Sequence, residues 1–484
     1  VENKQISEVT ISGASISGVA TNGTRFFTYE LETHTPDPVT VPQSILIDYQ
    51  PVFAYRDTNW NVVLNDPTFC AKIGMNGYHG DITDDIGGCI VYGEELFVHT
   101  LGWLTETDYP YPKFDVNPCL ALNTAEGQEN LAKVIKNVRA VLEKDPTIDI
   151  VSVSQNDFEG YCHCPNCRKI EEEEGSPAGP LLRFVNAVAE DIEKDYPHVT
   201  VDTLAYKYTQ KTPKITKPRH NVCIRLCSIN CCFTHPLDNK ECPRSQKFYN
   251  DIVDWGKICD KLHIWDYTTN FHYYISTFAN FGVLHKNMRF FAENHVVSMF
   301  PQGNSQGASG EFGELRAYLL AKLMWDPYMS EETYYNHMDE FLAAYYGAGW
   351  EGIRKFIDKT TELAANGGFR INKADESVGD AVCGQGIYDH PFTVITREEY
   401  LAHEALFEEW WNTALSLAGD RREYVERSMM QWRLTKLYLR PNAEAAQKLI
   451  DDAKAAGVVW KEGQFNVQPE SDLSKSPCFW KYGR

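Results

Sequence analysis

The sequence predicts an α/β fold: a (β/α)8 TIM barrel over residues 49–328, with a short β-rich segment before it and an all-α domain after it. Two observations predict this fold. Short β-branched runs alternate with amphipathic helices up to residue 326, and beyond Pro327 the pattern becomes purely helical. Alternating units of this length favour a parallel sheet closed into a barrel, with a doubly wound open sheet as the alternative. No glycine-rich phosphate loop follows the first strand, which weakens a dinucleotide-binding version of the open sheet.

Hydrophobic periodicity predicts the elements of the barrel. About eight strands are expected at residues 52–55, within 71–78, and at 119–122, 150–154, 199–205, 221–228, 262–265 and 296–300. Asn123 and Glu126 have capping-box spacing and predict the start of a helix. Leu131, Val134 and Val138 then recur on one face of that helix.

The regions before and after the predicted barrel do not show the alternation of strands and helices. Residues 1–48 are predicted as a β-rich N-terminal segment, and residues 329–484 as an α-helical C-terminal domain. Its helices are expected at residues 331–346, 351–363, 398–438 (with a break near Gly419) and 443–456. Residues 366–391 hold several glycines and little periodicity, which predicts a linker.

Composition excludes some classes of function. The 484 residues carry a net charge of −21, and a surface this acidic repels phosphate backbones, so we expect no nucleic-acid partner. No apolar run approaches the ~18–20 residues of a membrane span. Aromatic residues make up 13% of the chain. They indicate either a large aromatic core or rings that stack on sugar faces.

Strand ends supply the candidate site, because active sites of (β/α)8 barrels lie at the carboxyl ends of the strands. Asp157, Asp266 and Glu311 are the candidate catalytic carboxylates. The candidate substrate-binding residues are Arg56, Asn59, Trp60, Asn156, Tyr206, Trp265, Tyr267, Asn270, Gln302 and Asn304. Carboxylates, amides and aromatic rings around a barrel mouth suit cleavage of a glycosidic bond, in which one carboxylic acid protonates the leaving oxygen.

Each carboxylate also has a purely structural interpretation. Asp157 follows a strand, where an aspartate often caps a turn or helix. Asp266 would pair with an arginine at the barrel mouth. Glu311 stands near the start of a helix, where acidic residues favour the helix dipole.

Cysteines form two groups in the sequence. Cys162, Cys164 and Cys167 have Cys-x-Cys-x2-Cys spacing, and Cys227, Cys231, Cys232 and Cys242 form a second group with His235 nearby. Both groups follow predicted strands on the same face, so they could meet. The interpretations left open are a structural zinc held by the first three cysteines and one from elsewhere, a disulfide, or free thiols. No cofactor is expected for catalysis.

Several long motifs resemble one bacterial family, domain of unknown function 4838, part of which is glycoside hydrolase family 163. The motifs lie at residues 55–60, 151–167, 182–186, 224–233, 264–271 and 314–327, so the resemblance covers about residues 45–330. It implies a (β/α)8 barrel with a C-terminal helical region. It also implies an endo-β-N-acetylglucosaminidase that cleaves the GlcNAc-β1,4-GlcNAc core of complex N-glycans, with a glycan or glycoprotein as substrate.

The resemblance also suggests a mechanism and a location. Related hexosaminidase barrels keep an acidic pair after the fourth strand, and that place reads Asn156-Asp157 here. We expect retention assisted by the acetamido group of the substrate, with an inverting carboxylate pair as the alternative. N-glycans lie outside a bacterial cell, so a secreted, periplasmic or cell-surface protein is expected.

Two departures from the family keep other functions open. Relatives carry an α/β module before the barrel, of which residues 1–48 could be only a remnant. Pro301 stands where relatives have an acidic residue. The alternatives are therefore an exo-hexosaminidase or other glycosidase of the same barrel type, or a catalytically inactive glycan-binding barrel.

Overall fold

A computed structural model describes residues 24–34, 49–106, 116–367, 369–370 and 382–463 of the chain. The strands are β1 (Thr24–Thr28), β2 (Leu31–His34), β3 (Tyr55–Arg56), β4 (Val116–Asn117), β5 (Ile150–Ser152), β6 (Gly160–Tyr161), β7 (Thr200–Ala205), β8 (Val222–Cys227), β9 (Leu262–Tyr267), β10 (Val296–Gln302), β11 (Phe369–Arg370) and β12 (Val382–Cys383). The helices are α1 (Asn61–Leu64), α2 (Pro67–Lys72), α3 (Leu101–Leu104), α4 (Ala125–Lys144), α5 (Pro165–Glu174), α6 (Ala178–Ile192), α7 (Pro243–Gly256), α8 (Phe281–Glu293), α9 (Gly313–Trp325), α10 (Glu331–Tyr346), α11 (Trp350–Asn366), α12 (Arg397–Leu417), α13 (Arg422–Ser428), α14 (Met430–Leu439) and α15 (Ala443–Ala455).

A parallel half-barrel sheet of six strands forms the centre of the α/β fold. Its strand order is β3-β10-β9-β8-β7-β5, and every neighbouring pair is parallel. Side chains from distant strands meet on its concave face, where the ring of Tyr55 lies 5.4 Å from that of His263. The guanidinium of Arg225 on β8 lies 5.2 Å from the ring of Tyr92.

Two short segments continue the hydrogen bonding beyond the edge strands. The Asn76 amide donates to the Arg56 carbonyl (3.1 Å), and the Ile90 amide donates to the Asn76 carbonyl (2.9 Å). Tyr92 forms an isolated parallel bridge with Ile150 on β5. These bonds run between the two edges of the six-stranded sheet. The complete eight-stranded barrel stays a prediction.

The strand predicted at residues 119–122 is wrong. The backbone there forms local hydrogen bonds instead of pairing with a strand, since the Thr124 amide donates to the Ala121 carbonyl (3.0 Å). The Asn130 side chain also donates to the Cys119 carbonyl (3.0 Å). Thr124 rather than Asn123 caps α4, and its hydroxyl accepts from the Gly127 amide at 2.9 Å.

Helices α4 and α6 to α9 cover the sheet. Helix α9 is buried on nearly every side, because the sheet lies on one side of it and helices of the C-terminal region on the other. Helices α10 to α15 lie where the periodic pattern predicted helices, and residues 419–421 interrupt the long helical stretch near Gly419. Among the described residues, no helix is long and apolar enough to span a membrane.

The described part of the N-terminal segment is the hairpin β1–β2, which packs on the helices. Phe27 contacts the rings of Tyr318 (5.4 Å) and Phe341 (5.9 Å). The rest of the predicted segment 1–48, apart from residues 24–34, lies outside the described residues, as does much of the predicted linker 366–391. The domain boundaries at residues 48 and 328 stay predictions.

Candidate functional site

A cleft opens at the carboxyl ends of the parallel strands. Alternate residues of a strand face the same side, so each strand delivers its last inward-facing residues to this opening. The cleft is lined by Val98, His99, Asp157, Leu204, Tyr206, Cys227, Ile229, Trp265, Tyr267, Gln302, Tyr388 and Glu462. It therefore combines two carboxyl groups, four aromatic rings, an amide and an imidazole.

Two side chains that directly follow β7 hold the Asp157 carboxylate at the cleft. Its Oδ1 accepts hydrogen bonds from the Tyr206 hydroxyl (3.0 Å) and the Lys207 ammonium (2.8 Å). Partial burial alone would raise the pKa of this carboxyl, but the Lys207 ammonium and the Tyr206 hydroxyl hold that pKa below its usual value. Burial raises the pKa of the Tyr206 hydroxyl. Tyr206 therefore stays protonated and donates a hydrogen bond to Asp157. Asp157 is thus ionised at neutral pH.

Glu462 has the opposite pKa shift. It follows the last described helix, and its backbone amide donates to the Phe271 carbonyl at 2.8 Å. Burial, and then the negative charge of Asp157, raise the pKa of the Glu462 carboxyl. Two carboxyl groups of one cleft therefore differ in their tendency to ionise, which is the arrangement that separates an acid from a base.

Aromatic rings and an amide form the wall of the cleft. The Trp265 indole donates to Gln302 Oε1 (2.8 Å), which leaves the amide nitrogen of Gln302 available to a ligand. Trp265 also packs edge-on against Phe300 at 4.8 Å. Tyr267 and Tyr388 add two more rings. Aromatic rings of this kind can pack on the apolar face of a ligand, and an amide can donate to a polar group on it.

Backbone strain accompanies the cleft. The backbones of His99 (φ +56°) and Lys207 (φ +52°) adopt left-handed conformations that residues other than glycine seldom take. His99 Nδ1 donates to the Gln155 carbonyl at 2.8 Å, and burial lowers the pKa of its ring, so a neutral imidazole lines the cleft. Strained residues of this kind concentrate at functional sites.

One family model matches most of the chain. The model of the family described as Domain of unknown function (DUF4838) matches residues 27–358. The chain belongs to the DUF4838 family. No curated protein sequence matches it.

Solved structures resemble this DUF4838 protein only distantly. A GH138 enzyme targeting pectin rhamnogalacturonan II is 10% identical, with a TM-score of 0.36 over 85% of this chain and 78% of that one. CpGH84B is 12% identical, with a TM-score of 0.39 over 84% and 67% of the two chains. A glucosidase from Croceicoccus marinus is 12% identical, with a TM-score of 0.25 over 56% and 59%. At these TM-scores the likeness does not bear on the activity of this chain.

The structure of the DUF4838 protein brings together part of the predicted site. Asp157, Tyr206, Trp265, Tyr267 and Gln302 all line the cleft. His99, Tyr388 and Glu462 line it as well and were missed. Tyr388 and Glu462 come from the C-terminal region, and no pattern near them in the sequence marks a strand end.

The other two predicted catalytic carboxylates lie away from the cleft. Asp266 points to the opposite face of β9, accepts from the Ser228 hydroxyl at 2.5 Å, and burial raises its pKa to about 6. Glu311 is buried and forms two hydrogen bonds with Arg316, at 2.6 and 2.8 Å. Neither lies beside Asp157, so the structure does not assemble the expected pair of Asp157 and Glu311.

The remaining predicted binding residues have structural partners. The Arg56 side chain donates to the Gly74 and Phe53 carbonyls. Trp60 donates to the Thr268 hydroxyl at 3.0 Å. The four amides are held in loops: Asn59 accepts from the Gly303 amide, Asn156 from the Gly102 amide, Asn270 donates to the Asp389 carbonyl, and Asn304 donates to the Gly307 carbonyl.

The cysteines of the DUF4838 protein form two separate groups rather than one. Cys119 joins Cys162, Cys164 and Cys167, so the expected fourth sulfur precedes α4 and does not come from the second group. Cys232, His235 and Cys242 lie together elsewhere, all buried. The expectation that the two groups meet is wrong, because the sulfurs of the first group pack with Cys119 and those of Cys232 and Cys242 pack in a separate cluster. None of the twelve cysteines whose side chains are described forms a disulfide.

Proposed function

We propose that this DUF4838 protein is a glycoside hydrolase whose reacting sugar occupies the cleft. The observation that carries the proposal is the presence of two carboxyl groups, Asp157 and Glu462, in one cleft lined with aromatic rings. The pKa of Asp157 is lowered and that of Glu462 is raised, which agrees with different roles for the two groups. Hydrolysis of a glycosidic bond needs one protonated carboxylic acid and one ionised carboxylate. The rings and the amide around them supply the surfaces that bind a sugar.

The two carboxyl groups then have distinct roles. Glu462 donates its proton to the leaving glycosidic oxygen. Asp157, held by Tyr206 and Lys207, accepts a hydrogen bond from the acetamido N–H of the substrate. That bond orients the acetamido oxygen, which attacks the anomeric carbon as the protonated leaving group departs and forms an oxazolinium ion. Glu462, now a carboxylate, takes a proton from the water that opens this ion from the other face, so two inversions retain the configuration without a protein nucleophile.

The resemblance to glycoside hydrolase family 163 supports a finer proposal. The protein cleaves between the two core N-acetylglucosamine residues of complex N-glycans on glycoproteins. Because such substrates lie outside a bacterial cell, we propose that it works as a secreted, periplasmic or cell-surface enzyme. The segments around Asn76 and residues 90–93 serve as the second and third strands of a complete (β/α)8 barrel.

The size of the cleft supports an exo-acting glycosidase as a second candidate. Its volume is about 220 Å³. That is less than the ~300–1,000 Å³ of sites for drug-sized ligands. A single sugar unit fits such a volume, as an exo-hexosaminidase requires.

The placement of Pro301 removes one of the two observations that favour an inactive barrel. Pro301 is the register partner of Asp266 and shares its face of the sheet. That face points away from the cleft, whereas Trp265 and Tyr267 point into it. An acidic side chain at position 301 would not reach the substrate, so proline there does not delete a cleft carboxylate.

Mass spectrometry of glycans released from a complex-type glycoprotein tests the proposal. The wild type should release glycans that end in a single core N-acetylglucosamine. Glu462→Gln should lower the rate by about 10²–10⁴-fold, the usual contribution of a general acid–base group. Asp157→Asn should also lower the rate, because a neutral amide oxygen holds the acetamido N–H less strongly than a carboxylate does. Glu172→Gln removes an exposed carboxylate on α5 and should leave the rate unchanged.

The other outcomes discriminate between the candidates. Release of single N-acetylglucosamine units from a chromogenic glycoside, without release of whole glycans, would establish the exo-acting enzyme. No hydrolysis of either substrate by folded protein would refute a glycosidase of this specificity. Full activity in both carboxylate variants would refute the roles of Asp157 and Glu462.

A further inference from the structure

We propose that Cys119, Cys162, Cys164 and Cys167 bind a structural Zn²⁺ ion. The four Sγ atoms come from two segments, one before α4 and one between β6 and the first turn of α5. They all lie within 4.8 Å of one another. Cys119 Sγ is 3.7 Å from Cys167 Sγ and 3.8 Å from Cys164 Sγ.

These separations match a tetrahedral metal site. Four sulfurs at the usual Zn–S distance of ~2.3 Å stand ~3.8 Å from one another. A disulfide would need two sulfurs at ~2.05 Å. The observed spacing thus favours an ion at the centre of the four sulfurs over a covalent bond between any two of them.

The surroundings of the sulfurs suit thiolates. The Cys167 amide donates to Cys164 Sγ at 3.4 Å. Such bonds stabilise negative charge on sulfur and orient the ligands. Cys119 and Cys167 are only 2% and 4% exposed, and Cys162 and Cys164 are half-buried. Four cysteine ligands would leave no open position on the ion, as in structural zinc sites.

The ion would fix the loop that carries Asp157. Strand β4 precedes Cys119 and pairs with β6, which precedes Cys162. Asn117 on β4 accepts from the Asn156 amide at 2.7 Å and donates to the Gly160 carbonyl at 3.2 Å. Zinc would hold these two short strands together and so anchor the residue that precedes Asp157. The ion's binding does not depend on the proposed glycosidase activity.

The second group of ligands must be kept separate in any test. Cys232, His235 and Cys242 also place their ligand atoms within 4.8 Å of one another, and a metal there would add to the total. The zinc assigned to the four-cysteine site is therefore the difference between the wild type and a variant of that site.

Zinc content per chain, measured by inductively coupled plasma mass spectrometry, is the primary test. Cys162→Ser should contain one zinc ion fewer than the wild type. Cys89→Ser, which removes a half-buried thiol outside both groups, should keep the wild-type content. X-ray absorption of the Cys242→Ser chain should show four sulfurs at ~2.3 Å from zinc.

The opposite results are equally definite. Equal zinc content in the wild type and Cys162→Ser would overturn the proposal. Alkylation without reduction, followed by mass spectrometry, would overturn it by showing disulfides among the four cysteines. If Cys162→Ser does not fold, absorption measured on the Cys242→Ser chain decides: a shell with fewer than four sulfurs contradicts the site.

Discussion

Arg225 lies inside the half-barrel and contacts residues that support the cleft. Its side chain is fully buried and forms an ion pair with Asp202 on the neighbouring strand. It also donates to the Tyr92 hydroxyl (2.6 Å) and the Phe97 carbonyl (2.9 Å). The Trp265 ring, which lines the cleft, lies 5.7 Å from the guanidinium. A buried charge pair thus supports the wall of the candidate site.

Arg225→Met should destabilise the fold strongly, because it leaves the Asp202 carboxylate buried without its counter-charge. We expect the free energy of unfolding to fall by about 3–5 kcal/mol, measured by urea denaturation. Arg139→Met breaks the more exposed pairs with Asp191 and Asp195 and should cost less than about 1 kcal/mol. Equal losses in the two variants would show that the interior pair contributes no more than a surface pair.

Residues at strand ends were the predictable part of the site. Finding the strands was enough to place four residues of the cleft. Tyr206 directly follows β7, and the last inward-facing positions of β9 and β10 are Trp265, Tyr267 and Gln302. Asp266 shows the limit of that approach, because one step along a strand moves a side chain to the other face. Glu462 could not be predicted, since its position depends on how the C-terminal region packs over the barrel mouth.

At the scale of elements, Glu174 ties helix α5 to the segment after β7. Its buried carboxylate accepts from the backbone amides of Ile215 (2.9 Å) and Thr216 (3.0 Å) and from Arg183 Nε (2.9 Å). Burial opposes ionisation of this carboxyl, but the hydrogen bonds from Thr216, Ile215 and Arg183 prevail and lower its pKa to about 2. The same helix carries Cys167, so this carboxylate also steadies one side of the four-cysteine site.

Glu174→Gln should lower stability in a pH-dependent way. The unfolded carboxyl has a pKa of ~4.3. Since the folded pKa is about 2, the stabilisation is complete above pH ~4.3 and is lost as the pH falls toward 2. We expect the variant to lose about 1–3 kcal/mol at neutral pH, with the difference from wild type shrinking in acid. Urea denaturation across this range measures it, with Glu172→Gln as the control. A difference that does not depend on pH would contradict the role of the charge.

Long elements were more predictable than short ones. Helix α4 and helices α10 to α15 show several turns of apolar periodicity, which the sequence alone displays. Strand β3 has only two residues, and the bridge at Tyr92 is a single residue, so neither offers a period to detect. The third strand was predicted at residues 119–122, whereas the structure has the bridge at Tyr92 next to β5. Four consecutive apolar residues do not reveal whether a neighbouring strand is available for pairing.

At the scale of the whole molecule, the half-barrel sheet and the C-terminal helices share one core. Trp411 on α12 stacks on Phe312, in the loop before α9, at 6.2 Å and contacts Phe356 on α11 at 5.2 Å. Arg427 on α13 pairs with Glu314 on α9 at 2.9 Å. Tyr388 and Glu462 complete the cleft from the same C-terminal region. The helical region therefore contributes both to the stability of the sheet and to the candidate site.

A shared core predicts that the two regions unfold together. Trp411→Ala should remove about 3–5 kcal/mol of stability, as expected for a fully buried tryptophan. Hydrogen exchange followed by mass spectrometry should show equal losses of protection in β7 to β9 and in α12 to α14. Trp410→Ala removes the half-buried neighbour and should cost less in both regions. Loss of protection confined to the helices would mean that the half-barrel sheet and its covering helices fold independently, and the cleft would then be assembled by docking of two autonomous units.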